Sequence, residues 1–270
     1  MLLALDVGNT NLVFGLLDAA GQPGAGWRLP TGEAAEADIL VRAVSDQLAR
    51  AAIAPDAIEA LVVASVVPAV NPAIAGLAKT HGWPLIMAGE AGVELGISVD
   101  LENPAEVGAD RLVNALGAQG LGLVPSIIID FGTATTFDLV LADGAGQPVY
   151  SGGIIAPGVN LSVEALSRAA AKLPEMDMGE MDIQNWQAAD VPVPGRSTRQ
   201  AMRAGVLWGY VGLAEGLITR LQQSTGQSVP VIATGGLASL YAPHISAIGQ
   251  VCPELTLIGL FQLYQMNKAG

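Results

Sequence analysis

The chain has one cysteine, Cys252, and two histidines, His81 and His244. A lone cysteine excludes an internal disulfide and a thiolate metal cluster. Cys252 reads instead as a small buried apolar residue. The two histidines share no metal-ligand spacing, so they read as surface or satisfied core residues. Positive charge is also scarce. Twelve Lys and Arg stand against 25 Asp and Glu, a formal net charge of −13. Binding a nucleic acid backbone needs a Lys/Arg surface, so no nucleic acid partner is expected. A small anionic ligand is still compatible with this balance. Backbone amides, a few placed cations and bound metal can hold a phosphate on an acidic protein.

The first basic residue is Arg28, so the N-terminal segment lacks the charged start of a signal peptide. Two long stretches, 60–78 and 112–129, carry no charged residue. Pro68, Asn71 and Pro72 interrupt the first, and Asn114, Gln119 and Pro125 interrupt the second. They read as buried strand and helix segments, not membrane spans. The expectation is a soluble cytoplasmic protein with no membrane association.

What the chain does have is apolar material and glycine. Of its 270 residues, 51% are hydrophobic and 14% charged, enough to bury a sizeable core in one large domain or two modest ones. The 33 glycines point to many tight turns. One short pattern occurs twice: an apolar strand, an Asp that closes it, a small-residue turn, and a second strand. The first copy is Asp6-Val7-Gly8-Asn9-Thr10-Asn11 after Leu2 to Leu5. The second is Asp130-Phe131-Gly132-Thr133-Ala134-Thr135-Thr136 after Ser126 to Ile129. The free N–H groups of such a turn form a concave anion seat. The neighbouring Asp can hold a cation that bridges phosphate oxygens. Either copy alone is also compatible with an ordinary hairpin turn. Two copies at matching places point to a nucleotide clamped between two related lobes.

The rest of the chain fits that duplication. Residues 2–30 read as three strands, 33–52 as a helix, 60–66 as a buried parallel strand, 71–80 as a helix and 85–87 as a strand. Residues 90–107 read as loop, leading into a helix over 112–120. The scheme then repeats, with strands over 127–130, 135–141 and 149–156 and a helix over 160–172. Residues 174–196 read as an irregular loop or flap. A helix over 198–223, a strand over 229–233, a helix from Leu237 and a closing helix over 255–266 complete it. The expected fold is α/β, two related ribonuclease H-like lobes, each a βββαβα unit, with the active site in the cleft between them. The lobes are expected over 1–118 and 119–270, the closing helix belonging to the second. This is the architecture of the acetate and sugar kinase, heat-shock protein and actin superfamily, an analogy of fold alone.

Two further motifs carry chemistry. In Gly108-Ala109-Asp110-Arg111, a helix start presents a carboxylate beside a guanidinium. Asp110 suits a proton acceptor and Arg111 suits a fork onto an acid group. The same residues also fit a helix cap and a solvated side chain. Gly235-Gly236 after a strand end allows close approach to an adenosine, or forms an ordinary strand-to-helix turn.

Taken together and in this order, Asp6 to Asn11, Ser65-Val66-Val67-Pro68, Asn103 to Arg111, Asp130 to Thr136, Gly152-Gly153-Ile154-Ile155-Ala156-Pro157-Gly158 and Thr234-Gly235-Gly236 resemble the type III pantothenate kinases over essentially the whole chain. The resemblance implies ATP-dependent phosphorylation of pantothenate, the first step toward coenzyme A. It implies Asp110 as the catalytic proton acceptor, with Gly108, Ala109, Asp110, Arg111 and Thr198 on pantothenate. It implies ATP binding by Asp6, Val7, Gly8, Asn9, Thr10, Asn11, Leu12, Val13 and Thr133, with Gly235 and Gly236 at the adenosine. Asp130 would hold a monovalent cation, potassium or ammonium, beside the Mg²⁺ that accompanies ATP, and Asp6 would orient that Mg²⁺ or its waters. The family is a homodimer. Two departures stand out: Ser197 where the family usually has Asn, and Leu101 where many members carry Tyr. The competing readings are another small-molecule kinase or phosphatase of the superfamily, and a non-catalytic regulator like the Bvg accessory factor.

Overall fold

A computed structural model describes residues 1–34, 36–169, 191–226 and 228–268. Most of the loop expected over 174–196, including Met176 to Met181, lies outside the described residues, as does the end of the helix expected over 160–172. The chain divides into two compact units. The first comprises Met1–Val124, Leu141–Tyr150 and Glu254–Gly270, and the second Pro125–Val140 and Ser151–Pro253.

In the first unit, β1 (Leu2–Val7), β2 (Asn11–Leu17), β3 (Pro23–Pro30), β4 (Ala60–Ser65) and β5 (Leu85–Met87) form a sheet ordered β3-β2-β1-β4-β5. β1 lies antiparallel to β2 and parallel to β4. Successive side chains of a strand point to opposite faces, so β1 feeds two cores. Leu3, Leu5 and Val7 pack with Leu40, Val44 and Leu48 of α1 (Ala37–Arg50) and with Ile74 and Leu77 of α2 (Asn71–His81). Leu2 and Ala4 pack with Val113 and Leu116 of α3 (Ala109–Gly120) and with Leu260 and Leu263 of α7 (Leu255–Asn267). A strand buried on both faces reads as a continuous apolar run, as Leu2-Leu3-Ala4-Leu5 does.

The second sheet repeats the plan. β7 (Ser126–Phe131), β8 (Ala134–Ala142), β9 (Pro148–Pro157), β10 (Val231–Thr234) and β11 (Ile248–Val251) follow the order β9-β8-β7-β10-β11. β7 is antiparallel to β8 and parallel to β10, as β1 is to β2 and β4. The helices are α4 (Val159–Ala169), α5 (Thr198–Thr225) and α6 (Ala238–Tyr241). The duplicated α/β plan expected from the sequence is present, a three-stranded antiparallel start followed by parallel strands in each copy.

Several boundaries differ from the sequence reading. The units part at Val124 and Pro125, and α7 groups with the first unit, not the second. The reason is packing. α7 is apolar on nearly every side and lies against α3, close enough that glycines are required at the contact. A Cβ on Gly117 would overlap the Leu255 carbonyl oxygen, and one on Gly259 would overlap that of Val113. Thr256 Oγ1 donates to Asn114 Oδ1 at 2.8 Å in the same seam. α3 begins at Ala109, three residues earlier than the apolar pattern suggests, so Asp110 and Arg111 sit in its first turn. The two-residue β6 (Ser98–Val99) pairs with Val149 and Tyr150 of β9, inside a stretch that reads as loop. β11 was also invisible to the pattern, because its residues are mostly exposed and it carries no apolar run.

His81 stacks on Trp83 with ring centroids 4.3 Å apart, and burial holds its imidazole below the ordinary range. His244 meets Trp208 edge-on at 5.3 Å, and Cys252 is buried. Among the described residues, no group of three or more His, Cys, Asp or Glu is placed to hold a metal ion, and no helix is long and apolar enough to cross a membrane.

Candidate active site

Asp6 is half-buried near the end of β1, level with Val13 of β2 and Ala64 of β4. The turn that follows is closed by Gly8 N–H donating to Asn11 O at 3.0 Å. Thr31, just past β3, braces it from outside. Its Oγ1 donates to Gly8 O at 2.7 Å and its N–H to Thr10 O at 3.0 Å. These bonds consume turn carbonyls and fix the loop. Asn9 and Thr10 are exposed, whereas Val7 and Leu12 are fully buried and can offer a ligand only backbone.

The start of α3 forms the second element of this unit. Gly108 is the N-cap, and Asp110 Oδ1 accepts from Arg111 N–H at 2.8 Å. The carboxylate therefore folds back over the helix entrance. A Cβ on Gly108 would lie 2.5 Å from that same oxygen, so a larger residue there would displace the Asp110 carboxylate. The positive end of the helix favours negative charge at Asp110. The Arg111 guanidinium lies 5.6 Å from the centre of the buried Tyr150 ring, a cation–π arrangement that orients its fork. Next to Gly108 is a cavity of about 340 Å³ lined by Ser65, Val66, Asn71, Met87, Gly108 and Leu112, among others. That is near the lower end of the usual range for small-molecule sites, ~300–1,000 Å³. Inside it, Ser65 Oγ donates to Asn71 Oδ1 at 2.7 Å.

In the second unit, Asp130 occupies on β7 the place Asp6 has on β1, level with Thr136 of β8 and Thr234 of β10. Gly132 N–H donates to Ala134 O at 3.1 Å to close the turn, and Thr133 is exposed on it. Gly235 has φ +88, and a Cβ there would collide with Asp130 Oδ1 and the Phe131 backbone. Gly235 thus brings β10 and the Asp130 turn together. Gly236 beside it is open, with nothing within 4 Å of a built Cβ. Thr198 is the first residue of α5, exposed, and Ser197 is the N-cap, its side chain accepting from Gln200 N–H. Serine and asparagine both cap well, so the Ser197 departure preserves the helix start. Leu101 is partly exposed beside β6.

The structure thus gathers Asp6 to Asn11 on one braced turn and Gly108 to Arg111 on one helix start. It gathers Asp130, Thr133 and Gly235 on a second turn. Thr31 and Tyr150 escaped sequence reasoning because each acts across long sequence separation, whereas Asn71, six residues from Ser65, read as a helix start. Ser65 closes β4 in register with Val7, so its place at the end of a buried strand was the available signal. Replacing Gly235 by Ala is expected to destabilise the protein by about 1–3 kcal/mol, since a positive φ and a backbone collision both oppose a side chain. A urea denaturation midpoint checks this, and an unchanged midpoint would refute it.

The family model for type III pantothenate kinase matches residues 2–220. Two relatives bear the same description. One, from Paramagnetospirillum magneticum, is 44% identical over 270 residues, covering 99% of this chain and 98% of the relative. The other, from Acidiphilium cryptum, is 45% identical over 274 residues, covering 100% of this chain and 96% of the relative. Among solved structures, a ROK family glucokinase from Streptomyces griseus in complex with glucose and AMPPNP aligns over 98% of this chain and 99% of its own. The TM-score is 0.57 at 15% identity, a likeness of fold. By its sequence over almost its whole length, the chain belongs to the type III pantothenate kinase family.

Proposed function

We propose that the protein transfers the γ-phosphoryl group of ATP to the primary hydroxyl of pantothenate, giving 4′-phosphopantothenate and ADP, the first step of coenzyme A biosynthesis. The observation that carries this reading is the pair of Asp-closed strands, each followed by a tight glycine turn and each in the same place in its sheet, in a chain of this family. Phosphoryl transfer demands positioning and charge neutralisation more than covalent catalysis.

Asp6 to Val13 serve as a seat for the ATP phosphates, with the exposed Asn9 and Thr10 as donors. Thr133, Gly235 and Gly236 serve as nucleotide contacts. Gly108 to Arg111 and Thr198 bind pantothenate, whose body occupies the cavity beside Gly108, with Arg111 forked onto its carboxylate. Asp110 accepts the proton of the primary hydroxyl as that oxygen bonds to the γ-phosphorus and the bond to the ADP oxygen breaks.

A kinase of this family works on ATP with a divalent metal. Asp6 is one half-buried carboxylate, and among the described residues it belongs to no group of three or more metal-ligating side chains. That suits Mg²⁺, which is commonly held by one or two carboxylates with phosphate oxygens and water. Asp130, flanked by Thr136 and Thr234, supplies the oxygen chemistry for potassium or ammonium. These cations would neutralise phosphate charge on a protein whose own net charge is −13. The protein works in the cytoplasm as a homodimer.

ADP production with pantothenate, at fixed Mg²⁺, with and without potassium, tests the reading. Pantothenate-dependent turnover that requires potassium or ammonium is expected. Turnover without either would remove the cation role from Asp130. No turnover, with ATP still bound, would point to another acceptor. No ATP binding would favour a regulatory protein.

A further inference from the structure

Tyr210 lies in the middle of α5, buried, and its hydroxyl sits at a junction of three oxygens. It is 2.9 Å from Pro157 O, 3.0 Å from Gly158 O and 2.5 Å from Ser162 Oγ. A phenol has one proton to donate. The two carbonyls share it, and the Ser162 hydroxyl donates to the phenol oxygen. Gly158 O also accepts from Ser162 N–H at 3.0 Å, the first turn of α4. The turn between β9 and α4 is thereby fixed to α5 and to its own helix.

That turn in turn fixes the loop after Asp130. Gly158 lies so close to the Thr133 carbonyl that a Cβ would overlap it, and the Gly132 carbonyl would be 2.8 Å away. From another side, the Tyr241 ring stacks on Phe131 with centroids 5.3 Å apart and planes 8° from parallel. Tyr210 meets Tyr241 at 6.1 Å. Tyr210 therefore reaches the Phe131–Gly132–Thr133 turn along two routes, through Gly158 and through the ring of Tyr241. Burial, and the neighbouring Tyr210, raise the Tyr241 hydroxyl well above its ordinary pKa, so this ring stays neutral.

We infer that Tyr210 is a positioning residue for the nucleotide: its hydroxyl clamps the Pro157–Gly158 turn against Gly132 and Thr133 and so holds the second phosphate seat in its binding shape. The inference rests on reading Asp130 to Thr136 as a nucleotide seat. Tyr210 itself touches no substrate. Thr198, the acceptor contact proposed at the start of the same helix, is twelve residues away, about 18 Å along the axis, so the acceptor is spared.

The test compares wild type with Tyr210→Phe, which keeps the ring and removes the clamp. A non-hydrolysable ATP analogue with Mg²⁺ is titrated by calorimetry, and steady-state kinetics are measured for both substrates. The expected result is an analogue Kd and an ATP KM raised about three- to tenfold, with the pantothenate KM within about twofold of wild type. Ser162→Ala is expected to move ATP affinity the same way by less. The double variant should be no worse than Tyr210→Phe alone, since both act on one hydroxyl. Unchanged analogue affinity in a folded Tyr210→Phe overturns the inference, as does an equal loss for both substrates. Because the analogue reads the nucleotide seat directly, a wild type that binds it but ignores pantothenate would refute the proposed acceptor and still test Tyr210. A wild type that does not bind the analogue would refute both.

Discussion

Asp110→Asn is expected to lower turnover with ATP and pantothenate by about 10²–10⁴-fold while leaving the protein folded. The two effects separate because the side chain has one observed structural role and one proposed chemical role, of unequal size. Structurally, Asp110 Oδ1 accepts the Arg111 N–H at the entrance of α3, and an amide oxygen can do the same. What stability is lost comes from removing a negative charge at a helix N-terminus, about 0.3–1 kcal/mol. Chemically, an amide cannot take the hydroxyl proton, and a loss of that size is about 3–5 kcal/mol of barrier at 1.36 kcal/mol per tenfold. Steady-state kinetics, a thermal melt and a calorimetric ATP titration on one preparation resolve the two. Near-normal turnover in a folded variant would remove Asp110 from the reaction. Loss of ATP affinity in parallel with turnover would mean that the helix start had moved.

Gly259→Ala is expected to destabilise the protein by about 3 kcal/mol or more, a large part of the ~5–15 kcal/mol that holds a domain together. The neighbour of the added methyl is the Val113 carbonyl oxygen. Backbone of a buried helix cannot swing aside as a flexible side chain could. The accommodation available is to part α3 from α7, which strains the Thr256–Asn114 bond and opens the core around Leu116, Leu260 and Leu263. α3 also carries Asp110, so surviving molecules should lose activity as well. Gly216→Ala on α5 is the matched control, because nothing lies within 4 Å of a Cβ there. It should be neutral or gain up to about 1 kcal/mol from helix propensity. Urea denaturation midpoints for the two variants decide the matter. If Gly259→Ala is as well tolerated as Gly216→Ala, the helices are not in the backbone contact described.

The sequence alone carried most strands of both sheets and the two Asp-closed turns. These are written locally, in runs such as Leu2 to Leu5 and Ile127 to Ile129 and in small residues where the chain must turn. Strand periodicity and turn chemistry depend on near neighbours, so they survive without a fold. The start of α3 was placed late because Ala109, Asp110 and Arg111 break the apolar pattern while still forming helix. β6 and β11 were missed because short exposed strands have no apolar signature.

Tertiary structure decided what lies far apart along the chain. α7 could have joined either unit, because a helix apolar on nearly all sides indicates burial but not against what. Its partner was chosen by glycines at 117 and 259 that let two backbones touch. Its C-terminal end is tied by Asn267 Oδ1 accepting from Glu94 N–H across 173 residues. The supports of the site share this character. Thr31 reaches back 23 residues to the Gly8 carbonyl, Tyr150 lies under Arg111, and Tyr210 holds a turn 52 residues earlier. The residues proposed to act on ATP and pantothenate announce themselves by local chemistry. The residues that hold them in place are ordinary threonines and tyrosines, and only the folded contacts distinguish these from others of their kind.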